Sequence, residues 1–180
     1  PMDHLEHIDE FESMFRRAER EPFVFEDIAV TAVAIVTDGD GQEAEHLQQS
    51  VRQFLPRIDS VEDWHVFSDD DYDNVTELVK RLEQQPLDLL VTRRHLQERA
   101  LAPRHSLGVY LDEVTQRTDI PVLVLPGTGE VSASLPKEAC DSVMVVGDHV
   151  SGDNRLINYG VRMCSPGGTV WFCHVEDDVV

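Results

Sequence analysis

With 180 residues and 41% hydrophobic side chains, the chain can hold one ordinary domain with a buried core, or one domain and a fragment of another. The 35 Asp and Glu against 15 Lys and Arg, a net charge of −20, argue against nucleic acid as a partner, since binding it requires a basic face. Apolar runs stay well short of the roughly 18 residues that span a bilayer, and the acidic, polar N-terminus is unlike a signal peptide. The expectation is a cytoplasmic protein without direct membrane insertion. Lys80 and Lys137 are the only lysines, and such acid excess with scarce lysine suits high salt, where screening relieves self-repulsion.

Residues 2–20 form a helix candidate, with Leu5, Ile8, Phe11 and Phe15 as a partial stripe and Arg16, Arg17 and Arg20 at the end that suits the helix dipole. Pro22 stops it. Residues 28–37 read as the first strand, apolar enough to be covered on both faces. A turn at residues 38–41 opens a helix with Leu47, Val51, Phe54 and Leu55 inward, ended by Pro56. Residues 64–67 are a short strand. The acids of residues 68–71 then cap a helix over 73–84, with Val75, Leu78, Val79 and Leu82 inside.

Residues 87–92 and 121–125 are two further strands. Between them Leu107, Tyr110, Leu111 and Val114 fall at helical i, i+3, i+4, i+7 spacing. The βαβαβαβ alternation predicts an α/β fold with a doubly wound parallel sheet. Residues 127–137 are a polar connector, after which the pattern starts again. VAIVTD (residues 33–38) is echoed by VMVVGD (residues 143–148), and without gaps Leu47 aligns with Ile157, Val51 with Val161 and Phe54 with Cys164. TVWFCHV follows Gly167-Gly168, and the second copy stops after two strands. The organisation read here is an N-terminal helix and linker at 1–27, a domain at 28–126, a linker at 127–141 and a partial repeat at 142–180. Two strands cannot bury both faces of their own sheet. That fragment must pack on the first unit, pair with another chain, or belong to a longer protein.

The strand–loop–helix–strand of residues 87–126, with Pro121-Val122-Leu123-Val124 and the helix-opening Gly108, resembles the C-terminal half of a universal stress protein domain. The likeness extends more weakly from Ile28 onward. It implies a Rossmann-like fold of the adenine nucleotide alpha hydrolase-like type, in stress response or regulation, with a homodimer formed through the apolar final strand. That family carries five strands where four are counted here, and the strand at Trp64 is most like its third.

ATP-binding members carry Gly-x-x-Gly, about nine residues, then Gly-Ser or Gly-Thr. Here Leu96 and Arg99 stand at the first two glycines, Arg93 at the strand-end glycine and Val109 at the Ser or Thr. Glycines let backbone amides approach phosphate oxygens, so their loss removes the ordinary cradle. No cofactor is expected, with ATP or AMP possible but disfavoured. Arg93, Arg94, His95, Arg99, Arg104 and His105 replace the glycines with a basic loop. These side chains either pair with surrounding carboxylates or hold an anionic small molecule bidentately. Asp38 and Asp148 end the two first strands, a place where turn and helix-cap roles are common. The resemblance offers a nucleotide contact instead, and Asp38 facing the Arg93 loop, with Arg94, Arg99 and Gly108, is the candidate site.

Cys140, Cys164 and Cys173 show no zinc spacing. Asp69, Asp70, Asp71 and Asp73 lack the alternation of a calcium loop, and no motif nominates a nucleophile. The reading is a non-enzyme that acts by association with itself or a partner protein. A cytosolic regulatory module of a membrane transporter and an Arg-loop nucleotide or anion sensor are the alternatives.

Overall fold

The computed structural model describes residues 23–55, 60–97, 106–125, 140–147 and 154–174. The chain divides into two compact units, Ala29–Cys140 and Pro1–Ile28 with Asp141–Val180. The first is an α/β unit of four parallel strands, compatible with a Rossmann-like fold. Its elements run β1 (Ala32–Val36), α1 (Gly41–Phe54), β2 (Asp63–Phe67), a 3₁₀ turn (Asp69–Asp71), α2 (Val75–Glu83), β3 (Leu89–Arg93), α3 (Val109–Arg117) and β4 (Val122–Leu125). The sheet order is β2-β1-β3-β4.

Burial follows this order. All five residues of β1 and the first four of β3 are buried, as central strands covered on both faces must be. The edge strands β2 and β4 are largely half-exposed. Ala34 and Val36 pack with Leu78, Val79 and Leu82 of α2, Val114 of α3, Leu90 and Tyr72. Val33 and Ile35 alternate to the opposite face and are equally buried, as are Ala44, Leu47 and Val51 of α1. At the other end of the sheet, the Asp88 carboxylate accepts from Thr31 N at 2.7 Å, Thr31 Oγ1 at 2.8 Å and Ala32 N at 3.0 Å. It ties the start of β1 to the turn before β3.

Some local expectations shift. The Trp64 strand pairs directly with β1 (Val33 with Trp64, Ile35 with Val66), leaving no gap for an intervening strand. Leu107, expected inside the third helix, precedes it and is 38% exposed, because that helix starts only after Gly108. Ser68 caps the 3₁₀ turn, its backbone N and Oγ both donating to Asp71 at 2.7 and 2.8 Å, while Asn74 caps α2 by accepting from Glu77 N at 3.0 Å.

The other unit holds β5 (Ser142–Gly147), α4 (Asn154–Met163) and β6 (Thr169–His174), with β5 and β6 parallel. A Cβ on Gly160 would overlap Val145 Cγ2, so glycine permits the close approach of α4 to β5. Asn158, buried in mid-helix, is satisfied at both ends of its amide. Its Oδ1 accepts from Glu26 N at 3.1 Å and its Nδ2 donates to Val24 O at 3.0 Å. Arg162 Nε adds a bond to Ile28 O at 3.0 Å, so the segment before β1 is fastened along α4. The expected helix at 2–20 lies outside the described residues. Among the described residues no helix is long and apolar enough to cross a membrane.

Candidate functional site

In the order β2-β1-β3-β4 the chain leaves β1 toward one side and returns to β3 on the other. The carboxyl ends of β1 and β3 therefore form the topological switch point, where open α/β sheets bind ligands. Thr37 and Asp38 follow β1 there, and Arg94 to Gln97 follow β3.

Asp38 faces this loop, since its Oδ2 accepts from Gln97 N at 3.3 Å across 59 residues. The cap expected at Asp38 is supplied by Asp40, whose carboxylate accepts from Glu43 N at 3.0 Å. The reason is geometric: α1 starts at Gly41, and a cap must immediately precede the first helical residue. Asp38 is two positions too early and stays available to the loop.

The loop turns twice through left-handed backbone, with φ of 60° at His95 and 61° at Gln97. Such conformations are uncommon for residues with a Cβ and persist where surroundings over-determine them. The surroundings are visible. Leu96, standing where the family pattern has a glycine, is 2% exposed and packs into the cluster of Ala34, Val36, Tyr72 and Leu78. Gln97 Nε2 donates to Asp69 Oδ1 at 2.5 Å. Arg94 N donates to Leu125 O at 3.1 Å and His95 N to Leu107 O at 3.0 Å. Arg94 Nη2 donates to Ser106 O at 2.9 Å, and His95 Nε2 lies 3.0 Å from the same oxygen. Arg94 and His95 thus draw the returning chain, just before α3, against the loop.

Gly108 opens α3 as its N-cap with φ 99° and ψ 154°, a conformation open to glycine and strained for other residues. Arg93 ends β3 and is half-buried. Arg99, Arg104, His105 and Asp148 lie outside the described residues.

Sequence reasoning did not single out Tyr72, and it weighed Asp69 only as a helix-capping acid and a calcium-loop candidate. Tyr72 is 4% exposed, its hydroxyl donates to Thr37 O at 3.3 Å, and its ring lies 6.4 Å from that of Tyr110. Burial pushes its hydroxyl up to about 12; the Gln97 amide opposes this, and the negative charges of Asp38 and Asp69 add to it. The only signal in the sequence is a lone aromatic after an acidic run, which periodicity does not interpret.

Chemically, the loop is closed upon itself. The backbone N–H groups of Arg94, His95 and Gln97 are directed to Leu125 O, Leu107 O and Asp38, and Leu96 fills the space beneath. A phosphate cradle needs such amides directed outward at an anion. No family model, curated protein or solved structure matches this chain.

Proposed function

We propose that the chain is a non-catalytic regulatory domain of the universal stress protein type, acting by association and without that family's usual ATP binding. One observation carries the reading. Three of the four amides in the Arg94–Gln97 loop are committed to internal acceptors, and the fourth residue, Leu96, is a core side chain. The order of strands, the left-handed Gly108 at the helix opening and the position of Asp38 support the family likeness. The closed loop supports the departure from it.

Thermal-shift and calorimetric titration of the full chain with ATP, ADP, AMP and cyclic dinucleotides, in low and high salt, tests this. The expected result is no shift with any of them. A saturable shift that disappears in Arg93→Ala/Arg94→Ala would overturn the reading in favour of an arginine-loop anion sensor.

A further inference from the structure

Among the described residues, no element covers one face of the β5–β6 sheet, and on the other face Phe172, the partner of Val145, is itself 64% exposed. Gly160 places α4 against Val145, with Val143 Cγ1 3.9 Å from the same point, so α4 covers the face of the odd-numbered β5 residues. Met144 and Val146 alternate to the opposite face. Their partners in register are Trp171 and Cys173, and paired residues of parallel strands share a face. Met144 is 64%, Trp171 58% and Val146 49% exposed, and Cys173 is also exposed. Parallel sheets are ordinarily covered on both faces.

The unit Ala29–Cys140 shows what such a face looks like when helices cover it. Aligned by VAIVTD and VMVVGD, Met144 and Val146 match Ala34 and Val36. The β5–β6 register (Ser142 with Thr169 to Val146 with Cys173) runs in step with that of β1–β2 (Ala32 with Asp63 to Val36 with Phe67). Ala34 and Val36 are buried beneath α2 and α3. In β5–β6 this face carries Met144 and Trp171 where the first unit has Ala34 and His65, and Cys173 where it has Phe67.

We propose that this face, Met144, Val146, Trp171 and Cys173, is a self-association surface that binds the same face of a second copy of the chain. The proposal rests on the association reading above and moves the contact from the edge strand β4 to the β5–β6 face. Charge selects the occupant. Strands β5 and β6 contain no Asp, Glu, Lys or Arg, although the chain carries a net charge of −20. A face without charge asks for a partner face without charge, and a two-fold axis supplies one from the same chain.

Area is consistent with this. At about 150–250 Å² for a large side chain, the four residues expose roughly 400 Å² per copy. Two copies bury roughly 800 Å² from these residues alone. That lies below standard interface size, in the range of weak, reversible contacts. Like-charged chains repel until salt screens them, so the dimer should tighten as salt rises.

Sedimentation equilibrium of the full chain under reductant, over a concentration series in low and molar salt, tests the proposal. The expected result is a monomer–dimer equilibrium whose dimer fraction grows with salt, with Trp171→Glu raising the dissociation constant at least tenfold. Since Trp171 is exposed, that variant should retain the wild-type circular dichroism spectrum and melting temperature. Met144→Glu provides an independent second variant on the same face. A chain monomeric at every concentration and salt overturns the proposal, whether residues 1–22 or another protein cover the face. So does a dimer weakened by salt, or one that folded Trp171→Glu and Met144→Glu leave intact. Those outcomes concern oligomeric state alone, whereas the nucleotide titration separately decides whether ligand binding is absent.

Discussion

Replacing Leu96 by alanine tests what holds the switch-point loop closed. Leu96 is 2% exposed and contributes to the cluster under α2 and α3. Truncating a buried leucine to alanine costs about 2–5 kcal/mol, depending on how far the site collapses. Leu96 sits on a loop at the sheet's edge that can partly follow the lost side chain, so the lower end applies, about 2–3 kcal/mol. Gln97→Ala is the comparison, for it removes the side-chain bond to exposed Asp69 but keeps the backbone bond to Asp38. That loss should cost about 1 kcal/mol. Packing, not the polar latch, then secures the loop. Urea unfolding followed by Trp64 fluorescence in a Trp171→Phe background reports the unit Ala29–Cys140 separately. Leu96→Ala should lower the midpoint by two to three times as much as Gln97→Ala, with unchanged slope. If Gln97→Ala proves the more damaging, or if Leu96→Ala costs well under 1 kcal/mol, the loop is not seated by burial and the reasoning fails.

Two pH-dependent outcomes follow from the same unit. Because the Tyr72 hydroxyl is raised from 10.0 to about 12 in the folded chain, its stabilising contribution is full below pH 10 and is lost as pH rises through 12. Wild type should lose about 2–3 kcal/mol more than Tyr72→Phe across that window, measured by denaturant unfolding at each pH. Identical alkaline profiles would remove the titration from Tyr72. At Asp88, desolvation raises the carboxyl, but hydrogen bonds from Thr31 N, Thr31 Oγ1 and Ala32 N outweigh it and hold it below the ordinary 3.8. The contribution of this carboxylate is therefore full above pH 3.8 and is lost as pH falls below it. Asp88→Ala should destabilise by about 1–3 kcal/mol at neutral pH, with the gap to wild type closing in acid. A gap that stays constant to pH 2 would assign the effect to packing rather than to charge.

Sequence by itself determined the layered plan of this protein. Unbroken apolar runs marked β1 and β3 as central strands, because only a strand covered on both faces can carry such a run. Helical spacing identified the buried stripes of α1, α2 and α3. Gly108 and the loop after β3 marked the edge of the sheet where a site belongs. Tertiary structure decided what that edge contains. Periodicity states which face a side chain takes, but not which distant group it meets. Asp38 and Gln97 meet across 59 residues, and Gln97 reaches Asp69 only because a 3₁₀ turn, not the start of a long helix, follows β2. The helix begins at Gly41, as the turn at residues 38–41 implied, and the structure gives its cap to Asp40, which leaves Asp38 for the loop. The exposed residues of the β5–β6 face emerged only once Gly160 fixed the side on which α4 lies. A strand's alternation is local, and which of its two faces is covered depends on what packs there.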